Sequence, residues 1–143
     1  MGMDRDTLIE LAKSARERAY APYSRFQVGA ALLGQSGKVY TGCNVENASY
    51  PAGVCAERCA VAKAVSEGER DFSAIAIVAD TEGPCAPCGI CRQVLVEFGP
   101  GIQVIMSNLR GDVMVAAAAD LLPGAFTGAD ISRAPSAGSG PRA

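Results

Sequence analysis

Histidine and tryptophan are absent from this chain of 143 residues, and aromatic residues make up only 6% of it. Without an imidazole, the chain cannot form a Ser-His-Asp or Cys-His catalytic group, and a zinc site here cannot use histidine. Since 49% of the residues are nevertheless hydrophobic, we expect a single core filled mainly by small aliphatic side chains and alanine.

The chain also lacks an excess of one charge and a long apolar run. Its 13 Lys and Arg residues nearly balance 15 Asp and Glu residues, for a net charge of -2. This balance argues against a nucleic-acid partner bound through bulk positive charge. No apolar run approaches the roughly 20 residues of a membrane-spanning helix, and residues 1–6 show no signal peptide. We therefore expect a soluble, cytoplasmic domain with no membrane partner.

The spacing of apolar residues predicts alternating helices and strands. Helices are expected at 6–20, 55–66 and 88–98, with Asp6 capping the first and Pro22 ending it. Strands are expected at 28–33, 38–41, 74–79, 103–106 and 113–115, with loops at 42–53 and 81–87 and a turn at 120–126. The Ala, Pro, Ser and Gly composition from residue 133 predicts a flexible tail over 133–143, so a single domain covers 1–132.

This order of elements predicts an α/β fold with one sheet of about five strands and helices packed against it. The first two strands form an antiparallel hairpin, while the later strand–helix–strand crossovers favour parallel neighbours.

The chain has six cysteines: Cys43, Cys55, Cys59, Cys85, Cys88 and Cys91. Without a visible secretion signal, this number favours metal binding over disulfides. The segments Cys55-Ala-Glu57 and Pro87-Cys88-Gly-Ile-Cys91 each stand where a loop becomes a helix, and the positive end of a helix dipole favours thiolate.

Three such sulfurs would suit zinc, leaving its fourth position to a water whose pKa the metal lowers to about 7. Glu57 follows Cys55 by two residues, and its carboxylate could take that water's proton and deliver it to a substrate. The cysteine pattern alone permits other ligand sets. Pro84-Cys85-Ala-Pro-Cys88 also satisfies P-C-x-x-C, and Cys59, one helical turn after Cys55, could supply a fourth thiolate.

C-x-E followed by P-C-x-x-C matches the zinc deaminase signature with cysteine in place of histidine. Over roughly residues 8–131 the chain resembles the small homotetrameric cytidine deaminases. The resemblance is carried by five segments: Tyr23-Ser-Arg-Phe26-Gln-Val-Gly-Ala-Ala, Gly42-Cys-Asn44-Val-Glu46-Asn-Ala-Ser-Tyr50, Cys55-Ala-Glu57-Arg58, Pro87-Cys88-Gly-Ile-Cys91-Arg-Gln and Leu121-Leu-Pro-Gly-Ala-Phe126.

The resemblance implies a three-layer α/β/α sandwich with a five-stranded mixed sheet. It also implies hydrolysis of cytidine and deoxycytidine to uridine and deoxyuridine plus ammonia, in pyrimidine salvage, with one zinc per subunit. The Arg-Gln pair after Cys91 selects Cys55, Cys88 and Cys91 as the zinc ligands and leaves the other three cysteines as non-ligands.

The resemblance further implies roles around the metal. Glu57 would be the proton shuttle, and Arg58 would donate hydrogen bonds to the ligand thiolates. Zinc with three thiolates carries a net charge of -1, so a guanidinium beside the sulfurs restores part of the metal's pull on water.

The substrate contacts are implied in the same way. Asn44 and Glu46 would bind the ribose, Phe26 would pack against the base, and the Ala56 backbone with Glu57 would contact the pyrimidine. Tyr50 and Phe126 would complete a neighbouring subunit's pocket within a homotetramer.

Two alternatives remain open at this point. A related zinc aminohydrolase could act on a nucleoside antibiotic, with the same metal core, or on a cytosine within a polynucleotide, which would need a basic groove with stacking aromatics. A structural zinc module with four cysteines would have no use for Glu57. Individually, Asn44 also suits a turn, Glu57 suits a first helical turn, and both phenylalanines suit a core.

Overall fold

A computed structural model describes residues 3–132; the flexible tail expected from residue 133 lies outside them. The described helices are α1 (Arg5–Arg16), α2 (Ala56–Ser66), α3 (Gly89–Phe98) and α4 (Gly128–Ser132). The described strands are β1 (Val28–Gly34), β2 (Val39–Cys43), β3 (Phe72–Ala79), β4 (Gln103–Asn108) and β5 (Val113–Ala117). In the part of the chain that the structure describes, no helix is both long and apolar enough to cross a membrane.

The strands form one mixed sheet in the order β2-β1-β3-β4-β5. β1 is antiparallel to both β2 and β3, β3 is parallel to β4, and β4 is antiparallel to β5. The predicted parallel crossover is therefore β3–α3–β4. The other crossover, β2–α2–β3, leaves its two strands apart, because β1 lies between them.

Helices cover both faces of this sheet, which confirms the three-layer α/β/α prediction. On one face, Leu8 and Ala12 of α1 pack against Ala31 and Val78. On the other face, α2 and α3 pack against a second set of buried residues that includes Ile77 and Met106. Alanine is frequent in both clusters, so the helices lie close to the strands.

The first helix differs from its prediction at both ends. Asp4, and not Asp6, is the N-cap, because its Oδ1 accepts a 2.7 Å hydrogen bond from the Thr7 N–H. The helix ends at Arg16, well before Pro22. Its predicted last turn is lost because Tyr20 instead pairs with the chain at Val45, through a 3.0 Å bond from Tyr20 N to Asn44 O.

The segment predicted as a loop at 42–53 has more structure than expected. β2 continues to Cys43, Val45 forms isolated bridges with Tyr20 and Val54, and Tyr50–Ala52 is a 3₁₀ turn. Near the C-terminus, a 3₁₀ turn at Ala118–Leu121 opens the predicted turn, and the short helix α4 was not predicted. Of these, the Tyr20–Val45 bridge joins residues 25 positions apart, which local patterns do not encode.

Candidate metal centre and adjoining pocket

The N-termini of α2 and α3 bring three cysteine side chains together. Cys55 is the N-cap of α2, Cys88 is the N-cap of α3, and Cys91 lies in the first turn of α3. The Cys55 and Cys88 sulfurs are 3.9 Å apart, and those of Cys88 and Cys91 are 3.7 Å apart. All three sulfurs lie within 4.8 Å of one another, so a single ion can contact them together.

The donor set and its spacing fit zinc. Thiolates are ligands that zinc prefers, and two sulfurs bound tetrahedrally at about 2.3 Å from zinc are about 3.8 Å apart. The Cys55–Cys88 and Cys88–Cys91 sulfur–sulfur distances match that separation. Within residues 3–132, neither Cys59 nor Cys85 joins this metal-binding group.

The Cys55 and Cys91 thiols do not titrate independently. Hydrogen bonds from Cys91 and Arg58 lower the pKa of Cys55 to about 5, although burial opposes this. The same Cys55–Cys91 hydrogen bond, together with burial, raises the pKa of Cys91. Cys55 therefore ionises before Cys91, and binding of a metal would release the proton of Cys91.

Arg58 lies against these sulfurs. Its Nη2 donates a 3.2 Å hydrogen bond to the Gly53 carbonyl, while its Nε is buried without a hydrogen-bond partner. Hydrogen bonding to Cys55, with the negative charges of Cys55 and Cys91, raises the pKa of Arg58. A permanently charged guanidinium here offsets the negative charge that three thiolates bring.

The Glu57 side chain is almost completely buried, with 5% of its surface exposed. Burial raises the pKa of its carboxyl, and the negative charge of Cys55 raises it further. Glu57 lines a cavity of about 200 Å³ that also contains Cys55 and Cys88. The rest of that cavity is formed by Phe26, Val28, Asn44, Ala56, Cys85 and Ala86. A carboxyl group that can hold a proton thus faces the space beside the cysteine cluster.

Asn44 and Glu46 hold the loop that carries Phe26. Asn44 Oδ1 accepts from Val28 N at 2.8 Å, and its Nδ2 donates to the Phe26 carbonyl at 2.7 Å. The Glu46 carboxylate accepts from the Tyr23 and Ser24 N–H groups at 3.0 and 3.1 Å and from the Ser24 hydroxyl. This bracing function, and the part of Ser24 in it, were not predicted; the Tyr23-Ser24 pair in the motif was the available signal.

Tyr50 and Phe126 stay outside the cavity of their own chain. Tyr50 is 76% exposed and lines a second cavity of about 330 Å³ with Tyr23 and Glu46. Phe126 is 61% exposed and lines neither of these two cavities. The structure therefore brings together the three clustered cysteines, Glu57, Ala56, Phe26 and Asn44. It places the Tyr50 ring against Tyr23, with ring centroids 6.3 Å apart, and leaves Phe126 on the surface.

Arg92 and Gln93 tie the Phe126 segment to the metal-binding loop. Arg92 Nε donates to the Pro87 carbonyl at 2.8 Å, and Arg92 Nη1 donates to the Leu121 carbonyl at 2.9 Å. Gln93 Nε2 donates to the Phe126 carbonyl at 2.7 Å. In the sequence motif this pair indicates only the cysteine frame, whereas in the structure both side chains connect two distant segments.

The fold and the cysteine cluster define a zinc-binding α/β protein with a buried carboxylate beside the metal site. Residues 3–107 match the family model described as "Cytidine and deoxycytidylate deaminase zinc-binding region". The chain is 56% identical to a cytidine deaminase of Sporosarcina psychrophila over 92% of this chain and 98% of the relative. It is also 56% identical to one of Halalkalibacterium halodurans, over 91% and 99% of the two chains.

Solved structures agree with these sequence matches. A crystal structure of cytidine deaminase from Burkholderia pseudomallei superposes with a TM-score of 0.85 at 57% identity, covering 87% of this chain and 100% of that one. The corresponding enzyme of Mycobacterium tuberculosis gives a TM-score of 0.76 at 42% identity, over 87% and 98%. The chain belongs to the cytidine and deoxycytidylate deaminase family, which confirms the resemblance read from its motifs.

Replacement of single cysteines should show which of them bind the metal. A hydroxyl is a poorer zinc ligand than a thiolate, so Cys88→Ser should lose most of its zinc. Cys85→Ser and Cys59→Ala should keep one zinc per chain, because both side chains lie outside the sulfur cluster. Metal content of the purified variants, measured by mass spectrometry, decides this. A zinc-free Cys85→Ser protein would show that the alternative cysteine frame is correct.

Replacement of Glu46 by glutamine should loosen the Phe26 loop without removing zinc. The neutral amide weakens the two bonds that the Tyr23 and Ser24 N–H groups donate to one carboxylate oxygen, and its nitrogen cannot accept the bond from the Ser24 hydroxyl, so the Michaelis constant for cytidine should rise. Hydrogen bonding lowers the Glu46 pKa below its ordinary value of 4.5. The carboxylate therefore stabilises the loop above that pH, and this contribution is lost as the pH falls through the lowered pKa. Glu10→Gln, on α1, is the matched control; equal Michaelis constants in both variants would contradict this assignment.

Proposed function

We propose that this protein hydrolyses cytidine and deoxycytidine to uridine and deoxyuridine, releasing ammonia. The observation that carries the proposal is the buried Glu57 carboxyl lining a cavity beside three clustered thiols. Two relatives of 56% identity bear the name cytidine deaminase, which supports the same substrate. All six cysteines are free, as suits a reducing compartment such as the cytoplasm, where the reaction would serve pyrimidine salvage.

Cys55, Cys88 and Cys91 are the residues that would hold one zinc ion per chain. When bound there, zinc would act as a Lewis acid that lowers the pKa of a water molecule in its open position. The Arg58 guanidinium faces Cys55 and Cys91. Its positive charge would therefore limit how much negative charge these sulfurs donate to the zinc ion. The protein supplies these groups already assembled, so little rearrangement is needed before reaction.

Glu57 moves the proton. Because its pKa is raised, the carboxyl holds a proton up to a higher pH than an exposed glutamate would. The carboxylate takes one proton from the attacking water and delivers it to the pyrimidine ring nitrogen; it then takes the second proton from the added hydroxyl and delivers it to the amino group, whose C–N bond breaks to release ammonia. Water supplies the oxygen of the uridine product, so cytidine and water are fully converted into uridine and ammonia.

The substrate contacts follow the cavity lining. Phe26 and the Ala56 backbone are suited to hold the base, because both line the cavity with Glu57. Asn44 lines the same cavity and Glu46 lines the second cavity beside Tyr50; both are suited to bind ribose hydroxyls while they keep the Phe26 loop in place. The negative Glu46 disfavours a phosphate on the sugar, so a free nucleoside is the expected substrate.

The structural zinc module is less well supported. A closed structural site needs four protein ligands, and in the described residues only three side chains form the metal-binding group. Activity on a nucleoside antibiotic would use the same chemistry. Only a comparison of the two substrates distinguishes it from cytidine deamination.

The zinc-loaded protein should deaminate cytidine, as measured by the ultraviolet change that accompanies uridine formation. Glu57→Gln keeps the size of the side chain but cannot carry the proton, so turnover should fall by about 10²–10⁴-fold while zinc stays bound. Cytidine monophosphate and single-stranded DNA should be poor substrates.

Three results would contradict the proposal. Near-normal turnover in Glu57→Gln would remove the proton-shuttle mechanism. Comparable rates on cytidine and single-stranded DNA would point to a polynucleotide deaminase. Absence of activity on cytidine together with deamination of a nucleoside antibiotic would favour the related aminohydrolase.

We propose in addition that the chain forms a homotetramer with shared active sites. Tyr50 and Phe126 are both largely exposed. Large aromatic side chains are enriched in protein–protein interfaces, so their exposure supports contact with a partner subunit. The hydrogen bonds from Arg92 and Gln93 hold the Phe126 segment in place. Its ring would then reach the cavity of a neighbouring subunit.

Phe126→Ala should raise the Michaelis constant for cytidine by about two- to tenfold, the range of one aromatic contact, and leave zinc content unchanged. Light scattering under assay conditions gives the oligomeric state. A fully active monomer would contradict the shared site and leave the zinc chemistry unaffected.

A further inference from the structure

Gly42 lies directly under the first turn of α2. It is buried in β2, at the edge of the sheet, where it pairs with Ala30 of β1. A Cβ atom built on Gly42 would lie 2.5 Å from the Ala56 carbonyl oxygen, 2.6 Å from Ala60 N and 3.1 Å from Cys59 Cβ. The first two distances are shorter than Cβ contacts in real proteins, so no side chain fits between β2 and α2 in their present positions.

The blocked atoms belong to the helix backbone. They cannot rotate away as a side chain would, so a larger residue at position 42 must move the whole turn of α2. Restoring ordinary contact with Ala56 O, at about 3.4 Å, requires a shift on the order of 1 Å. This same turn begins at Cys55 and carries Glu57 and Arg58.

The other half of the metal site is attached elsewhere. Cys88 and Cys91 belong to α3, which is held by the bonds from Arg92 to Pro87 and Leu121. A shift of α2 would therefore change the 3.9 Å separation between the Cys55 and Cys88 sulfurs, because the Arg92 bonds attach α3 to Pro87 and Leu121 and not to α2. Metal–ligand distances in working sites vary by only about 0.2 Å.

We propose that Gly42 is a positioning residue for the metal site: the absence of a side chain there seats the first turn of α2 against β2. This seating sets the distance of Cys55 and Glu57 from the two cysteines of α3. The inference rests on the proposed function only in taking this cluster as the working zinc site.

Gly29 provides a matched control on the opposite face of the sheet. A Cβ atom built there would lie 1.9 Å from Ala12 O and 2.5 Å from Arg16 N, both in the backbone of α1. The clash is at least as severe as that at Gly42. However, α1 carries none of the proposed metal or substrate residues.

The experiment compares Gly42→Ala and Gly29→Ala in the full, zinc-loaded chain. Both should lower the melting temperature, because both force a helix away from the sheet. Gly42→Ala alone should weaken zinc binding by about 10–100-fold, as loss of outer support does in other metal sites, measured by competition with a chelator. After replacement of zinc by Co²⁺, its visible absorption bands should differ from those of the parent, and kcat should fall more than KM rises.

Gly29→Ala should keep the parent zinc affinity and Co²⁺ spectrum. The inference is overturned if folded Gly42→Ala binds zinc and Co²⁺ like the parent, or if both variants change these properties equally. If Gly42→Ala is insoluble, Cys59→Val compresses the same contact from the helix side, and a parent-like Co²⁺ spectrum in that variant also overturns it. Because metal binding is read without substrate, failure of the proposed deamination would leave this result interpretable.

Discussion

Three sulfur atoms, contributed by two helices, have to converge on one ion, and most of the structure serves that convergence. α2 and α3 lie on the same face of the sheet and pack into one core. Their N-termini therefore meet at one place, where each positive helix end also favours thiolate. Small residues make the convergence possible. Ala56, Ala60 and Gly42 let the α2 backbone approach β2 more closely than any larger side chains would allow.

The electrostatics of the centre follow from this crowding. The three thiols and the Glu57 carboxyl all become negative when they ionise, and they lie close together. They therefore cannot all ionise without a cation. The pKa of Cys55 is lowered to about 5, while the pKa values of Cys91 and Glu57 are raised. Arg58 supplies one fixed positive charge, and a divalent metal would supply the rest. Burial is the main cause that leaves Glu57 able to carry a proton, and the negative charge of Cys55 adds to it.

The pocket is built from segments distant in sequence, and hydrogen bonds rather than helices place them. Asn44 and Glu46 attach the Phe26 loop to the strand that leads toward α2. Arg92 attaches the chain before Phe126 to the loop before α3. Both polar networks are anchored next to the metal ligands, so the Phe26 loop, the Phe126 segment and the metal site form one unit. Phe126 remains largely exposed at the edge of this unit.

Local patterns predicted the element types and the five-stranded mixed sheet, because periodicity is a property of nearby residues. The cysteine spacing left several ligand sets open, and the family resemblance selected among them. Where distant segments compete with local preference the patterns failed: the last turn of the predicted first helix was lost to the Tyr20–Val45 pairing. At the other end of that helix the difference is local, because the Oδ1 atom of Asp4 accepts from the Thr7 N–H. Ser24, Arg92 and Gln93 each brace the pocket through a hydrogen bond to a residue between 22 and 33 positions away in the chain. Local patterns do not reveal such partners.

By itself, then, the sequence determined the class of chemistry: without histidine, a metal had to be held by thiolates, and the glutamate two residues after Cys55 was the available proton carrier. Tertiary structure decided which cysteines meet and how far apart their sulfurs lie. It also decided that Gly42 must lack a side chain and that Asn44 and Glu46 hold the pocket loop. The physical reason is that distances between elements are set by the packing of α2 and α3 on the sheet, and that packing depends on contacts between residues far apart in the chain.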